Sequence, residues 1–263
     1  MRKALTALAL AASLTVAGCV ETRQYADLQF TVPQGDYKLI VLRPDVTVGS
    51  ITTGGMVEPR ADWTEQARTS ITAALRKQQA TRGGQVLFIE RRNEIPGVDP
   101  QELADIERLN FAVNQSIVLH KYLGEYLPTK YGKGLDWTLG QDAVRLGQKS
   151  GYDYALFLHA EDQVASTGRI ALGVIGIAGC FVGFCAPNIG GATQLNYASL
   201  VDLKTGHVVW VNVVKAGSQI PGIKFGDLRT PEGADQMVER LLGRMRPGKG
   251  VIDAQRAAAK VQN

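Results

Sequence analysis

The sequence predicts a single α/β domain, an α+β layering of helices on a mixed β-sheet. Three observations carry that prediction. Short apolar runs such as Tyr37–Leu42 and Tyr152–Ala160 have the length and composition of strands. Stretches between them repeat apolar residues at helical spacing. Late in the chain, Lys204-Thr205-Gly206 separates two further apolar runs and reads as a hairpin turn. Strands alternating with helices, then a hairpin and a last helix, make a layered domain. At 263 residues and 45% hydrophobic content the chain can fill one sizeable core. With Arg2 and Lys3 set aside as part of a targeting segment, 27 basic residues face 25 acidic ones. That balance argues against nucleic acid as a partner.

The chain opens with Met1-Arg2-Lys3 and an apolar stretch over 4–18, the layout of a secretory signal too short for an ordinary membrane span. Val16-Ala17-Gly18-Cys19 follows. These four residues resemble the lipobox of bacterial lipoprotein precursors. The resemblance implies removal of residues 1–18, a diacylglycerol on the Cys19 thiol, and acylation of the new terminus. Such acyl chains hold a protein to a membrane at ~0.8 kcal/mol per buried methylene. Val20 in place of aspartate implies, by that family's sorting, the periplasmic face of the outer membrane. Residues 19–36, with Pro33 and Gly35, read as a lipid-anchored tether.

The domain is expected over 37–245. Tyr37–Leu42 is its first strand, stopped at Arg43-Pro44. Val46, Val48 and Ile51 alternate in a second extended run. Asp62 with Glu65 suggests a capping box for a helix whose apolar face carries Trp63, Ala67, Ile71, Ala74 and Leu75. Gly83-Gly84 closes that helix, and Gln85–Glu90 is the next strand. Asp99-Pro100 opens a long helix running toward Pro128. Asp136 is expected to cap a third helix that ends at Gly151. The strand Tyr152–Ala160 comes next, then the hairpin strands 193–203 and 207–214. Thr230-Pro231-Glu232 opens a last helix. The tail 246–263 is polar and alanine-rich, and reads as flexible.

Gly151-Tyr152-Asp153-Tyr154-Ala155-Leu156, and Tyr197 through Trp210 around the Lys204-Thr205-Gly206 turn, look like steps of the TolB amino-terminal fold. That fold is shared by envelope lipoproteins including the curli-secretion lipoprotein and the penicillin-binding-protein activators. The resemblance implies a TolB-N-terminal-like domain. It leaves function open, because the fold serves pores, activators and scaffolds alike.

An uncharged, glycine-rich insertion over 170–192 precedes the hairpin. Ile170–Ala186 is almost purely apolar and carries Gly173, Gly176, Gly179 and Gly183. A hairpin or loop is the favoured reading. A two-residue turn at Val182-Gly183 sets Cys180 opposite Cys185, with Cα atoms ~4.5 Å apart, inside the disulfide range. Their i,i+5 spacing excludes a bridge on a continuous helix. A disulfide between Cys180 and Cys185 also suits an oxidising envelope. The other reading makes 170–187 a membrane-inserting element, since Gly179 to Gly183 forms a GxxxG step.

No HExxH, zinc-type Cys/His spacing, GxSxG or phosphate loop occurs. His159, close to Glu161 and Asp162, is the only local acid–histidine cluster, and it reads as a strand-end histidine beside solvated carboxylates. The expectation is therefore a non-enzymatic lipoprotein with no cofactor, no metal and no identified small-molecule substrate. It would act as an interaction, scaffold or activator module toward a protein partner or its own copies. The alternative is a subunit of an oligomeric outer-membrane secretion or transport apparatus.

Overall fold

Every apolar run expected to be a strand joins one mixed sheet, with helices on both of its faces. The structure, a computed structural model, describes residues 19–180, 191–217 and 226–261. Among them the sheet has eight strands: β1 (Cys19–Ala26), β2 (Lys38–Val41), β3 (Asp45–Ile51), β4 (Val57–Pro59), β5 (Gln85–Phe88), β6 (Tyr154–Ala165), β7 (Thr193–Asp202) and β8 (Val208–Gly217). The main order is β1-β8-β7-β6-β2-β5. β6 organises it. One edge pairs antiparallel with β7 along ten residues. The other edge pairs parallel first with β2, at Tyr154–Leu156, and then with β3, at His159–Ala165. β2 and β3 therefore lie end to end along β6, separated by Arg43-Pro44, where proline cannot donate to a ladder.

The helices α1 (Ala61–Ala80) and α5 (Pro231–Leu242) cover one face. Ile71, Leu75, Met237 and Leu241 pack there on Val48, Leu158 and Trp210. α2 (Pro100–Ile117) and α3 (Gly140–Ser150) cover the other, where Leu103, Ile106 and Leu146 meet Ile40, Ala155 and Val211. The α/β class read from the sequence is the class observed.

Several local expectations are corrected. Residues 19–26 are no tether: β1 pairs with β8 over its full length, from Cys19 opposite Gly217 to Ala26 opposite Trp210. Phe30, further along the same segment, is buried in the core. The edge of β8 needs hydrogen-bond partners, and polar residues alternating on β1 did not advertise them. The tail is no loose end either. Lys249–Val261 forms a helix, α6, and the Gly248 amide donates to the Phe30 carbonyl at 2.8 Å. At the start of α1 the N-cap position is Arg60, whose side chain makes no cap. Asp62 lies in the first turn, paired with the Arg60 guanidinium at 3.2 Å. The α2 helix does start as expected, with Asp99 accepting from the Gln101 amide at 2.7 Å. It changes into a π-turn at Val118–Tyr122 rather than running on to Pro128.

Asp136 caps no helix. It pairs with Lys130 at 3.3 Å, and α3 begins four residues later at Gly140. The intervening residues dock on the β7–β8 turn, where Leu139 donates to the Gly206 carbonyl at 2.8 Å and Val208 donates to the Trp137 carbonyl at 2.9 Å. That docking satisfies backbone groups which would otherwise have entered the helix. The C-terminus of α3 is the expected one, with Gly151 at φ 73°. The insertion is corrected in its first part: Thr167–Cys180 is a helix, α4, with Cys180 as its last residue. The turn proposed at Val182-Gly183, Cys185 and hence the disulfide partner lie outside the described residues.

Candidate functional site

Two places gather the residues singled out by the sequence. The first is one end of the sheet. A line of register partners crosses it: Cys19 with Gly217, Gly217 with Thr193, Thr193 with Gln163, and Gln163 with Gly49. The lipidation candidate Cys19 thus opens the first strand at the end where β3 and β6 finish and β7 begins. α4 leaves from the same end. The Ser166 amide donates to the Ile51 carbonyl at 2.9 Å, and the Arg169 guanidinium reaches the Thr52 carbonyl at 3.4 Å. The β3–β4 turn therefore fixes the first turn of α4. Beyond it, Leu172, Val174 and Ile175 are exposed, Ile175 to 67%, and Met56 in the β3–β4 turn to 73%. These large apolar side chains lie open to solvent at the end of the sheet that Cys19 also occupies. No helix among the described residues is long and apolar enough to cross a membrane.

The second place surrounds His159. In the sequence it lies close to Glu161 and Asp162, but its partner is Asp45 on the neighbouring strand. His159 Nδ1 lies 2.8 Å from Asp45 Oδ2, and the two residues are also register partners. Glu161 instead accepts from the Gln163 side-chain amide at 2.7 Å. The His159 hydrogen bond holds the Asp45 carboxyl below the usual aspartate range against the opposing effect of burial. The imidazole stacks on Tyr197 with centroids 4.7 Å apart and planes 20° from parallel. Phe111 of α2 approaches it from another side at 5.4 Å. Burial drives the Tyr197 phenol well above the ordinary tyrosine value, and the Gln115 side-chain amide donates to it at 3.4 Å. Asp45 had no signal in the sequence, because 114 positions separate it from His159.

Among the described residues no group of three His, Cys, Asp or Glu side chains could hold a metal ion. Two of the tryptophans, Trp137 and Trp210, are buried. Trp63 is flanked by guanidinium groups, with Arg60 4.4 Å and Arg229 4.3 Å from its ring.

The chain matches no known family and none of the curated proteins. Among solved structures it is similar to the PelC dodecamer from Paraburkholderia phytofirmans in space group P6. The identity is 12%, 86% of this chain and 100% of that chain are covered, and the TM-score is 0.36. A point variant of the same dodecamer in space group C2 gives 12% identity, the same coverages and a TM-score of 0.35.

Proposed function

We propose that this protein is a lipid-anchored lipoprotein of the bacterial cell envelope, held on the periplasmic face of the outer membrane. There it acts as a non-enzymatic interaction module. The observation that carries the reading is the shared end of the sheet, where Cys19 and the exposed Leu172, Val174 and Ile175 of α4 emerge together. Because β1 is part of the sheet, acylation at Cys19 leaves almost no slack. The anchored end of the domain faces the headgroups, and the α4 surface comes within reach of them. The rest of the domain, including both helical layers, is turned toward the periplasm and its partner. Tethering keeps the domain at high local concentration near its membrane, which suits scaffold or activator roles.

Metabolic labelling with a radioactive or alkyne-bearing fatty acid tests the anchor. Label is expected in the wild-type protein and absent from Cys19→Ser. Retention of label by Cys19→Ser, or no label in either, overturns the reading. Cross-linking in intact envelopes followed by affinity purification is expected to recover a protein partner.

The exposed apolar face of α4 favours one second reading. In it the segment 170–187 inserts into the bilayer as part of an oligomeric secretion or transport assembly. Flotation of Cys19→Ser protein with liposomes discriminates the two. Insertion predicts association that is lost when 170–187 is deleted, whereas the interaction-module reading predicts no association without the acyl chains.

A further inference from the structure

We propose that the crevice at the carboxyl ends of β2 and β5 binds a small anionic molecule carrying a planar ring. The topology creates the crevice. Leaving β2, the chain passes through β3 and β4 into α1 on one face before entering β5. Leaving β5, it passes through α2 and α3 on the opposite face before entering β6, on the far side of β2. The connections after two neighbouring parallel strands thus diverge to opposite faces, and a gap opens beyond their carboxyl ends. Open α/β sheets bind ligands in such gaps. Here the gap measures about 890 Å³, within the range of small-molecule sites.

Its chemistry sets the ligand class. Among the described residues five arginines line it against three carboxylates, those of Asp45, Glu90 and Glu107. Arg43 and Arg91, on the segments after β2 and β5, have the loosest ion pairs there, 3.5 Å to Glu65 and 3.3 Å to Glu94. Their side chains are 50% and 82% exposed. A guanidinium carries five N–H donors, so one distant carboxylate leaves donors for an anion. The inner wall is aromatic. Phe111 is 42% exposed, a large ring open to the crevice, and it backs onto the His159–Tyr197 stack. The Asp45 hydrogen bond fixes the plane of that imidazole, so the aromatic wall is preorganised. A planar ring stacks against Phe111 while its charged group meets the arginine rim. The described residues that line the crevice offer guanidinium charge and aromatic surface, which suit recognition of such a ligand.

The test uses the full chain and three probes followed by isothermal titration calorimetry: 1-naphthalenesulfonate (ring and charge), methanesulfonate (charge alone) and 1-naphthol (ring alone). One saturable site for 1-naphthalenesulfonate is expected, at least about tenfold tighter than for either half-probe. Phe111→Ala and the double variant Arg43→Gln/Arg91→Gln are each expected to weaken it about tenfold or more. Thermal melts of these surface variants establish that they are folded. Wild-type affinity in both variants, or no saturable binding to the wild type, overturns the proposal. Neither outcome depends on lipidation at Cys19.

Discussion

Gln24 of β1 accepts the indole N–H of the fully buried Trp210 at 3.3 Å. The same oxygen accepts the Arg246 amide at 3.2 Å, and the Gln24 Nε2 donates to the Arg244 carbonyl at 2.7 Å. One side chain therefore joins the first strand to the core of β8 and to the segment after α5. Gln24→Ala is expected to destabilise the domain by about 1–2 kcal/mol, measured by urea denaturation. Removing residues 19–26 uncovers the whole edge of β8, and with it the expected results are a red-shifted tryptophan emission and aggregation. A free tether would leave both observables unchanged.

Gly206 closes the β7–β8 turn at φ 74°, and a Cβ there would lie 2.4 Å from the Gly140 carbonyl oxygen. Gly206→Ala combines left-handed backbone strain with a clash against backbone, and the expected loss is about 2–4 kcal/mol. Gly35 has a similar φ of 72° with nothing within 4 Å of its added Cβ, so Gly35→Ala should cost only about 1 kcal/mol. Paired thermal melts separate strain from close approach. Equal losses would show that docking against Gly140 contributes nothing.

Asp153 pins the start of β6 to its neighbours, accepting from the Lys38 amide at 3.0 Å and pairing with the Lys204 ammonium at 2.9 Å. The Lys204 hydrogen bond, ahead of the Lys38 amide, holds its carboxyl below the usual range while partial burial opposes. A depressed folded pKa stabilises fully above the unfolded value of ~3.9 and is lost as pH falls through the folded value. The urea midpoint of the wild type should therefore fall more steeply than that of Asp153→Asn as pH drops below ~4. At neutral pH the substitution should cost about 1 kcal/mol, because the site is partly solvated. Parallel midpoint-against-pH curves for the two proteins would refute the assignment.

Asn114 is fully buried between α2 and the sheet, donating to the Asn110 carbonyl and to Ser199 Oγ, both at 2.9 Å. Ser199 in turn donates to Asn110 Oδ1 at 3.2 Å. Asn114→Ala should cost about 2–3 kcal/mol, through a cavity and the loss of both hydrogen bonds that its side chain donates. Adding Ser199→Ala should cost less than the sum of the single losses, since either substitution alone already removes the hydrogen bond between the two side chains. Additive losses in a double-mutant cycle would mean that the two side chains are uncoupled.

Legibility in the sequence followed the range of the interaction. The strand Tyr37–Leu42 and the 193–214 hairpin are announced by contiguous apolar runs and a local turn, and both lie where expected. The Asp99 and Thr230 caps are also local: each side chain bonds an amide two or three residues on. Asp62 and Asp136 carry the same local signature and cap nothing. Arg60 pairs with the first, and docking of residues 137–139 on the β7–β8 turn displaces the second. The polar start of β1 carries no strand signal of its own, since its pairing partner β8 lies nearly two hundred residues away.

By itself the sequence determined the α/β class, the order of most elements and the candidate lipidation position at Cys19. Each rests on residue type and spacing within one short window. Only the tertiary structure decided that Cys19 opens a sheet strand beside α4, and that His159 belongs with Asp45 rather than Glu161. It also decided that the chain diverges after β2 and β5 to open a crevice. Those relationships arise from strand pairing across the sheet. Ladder hydrogen bonds and burial select that pairing collectively, and no local pattern of residues encodes it.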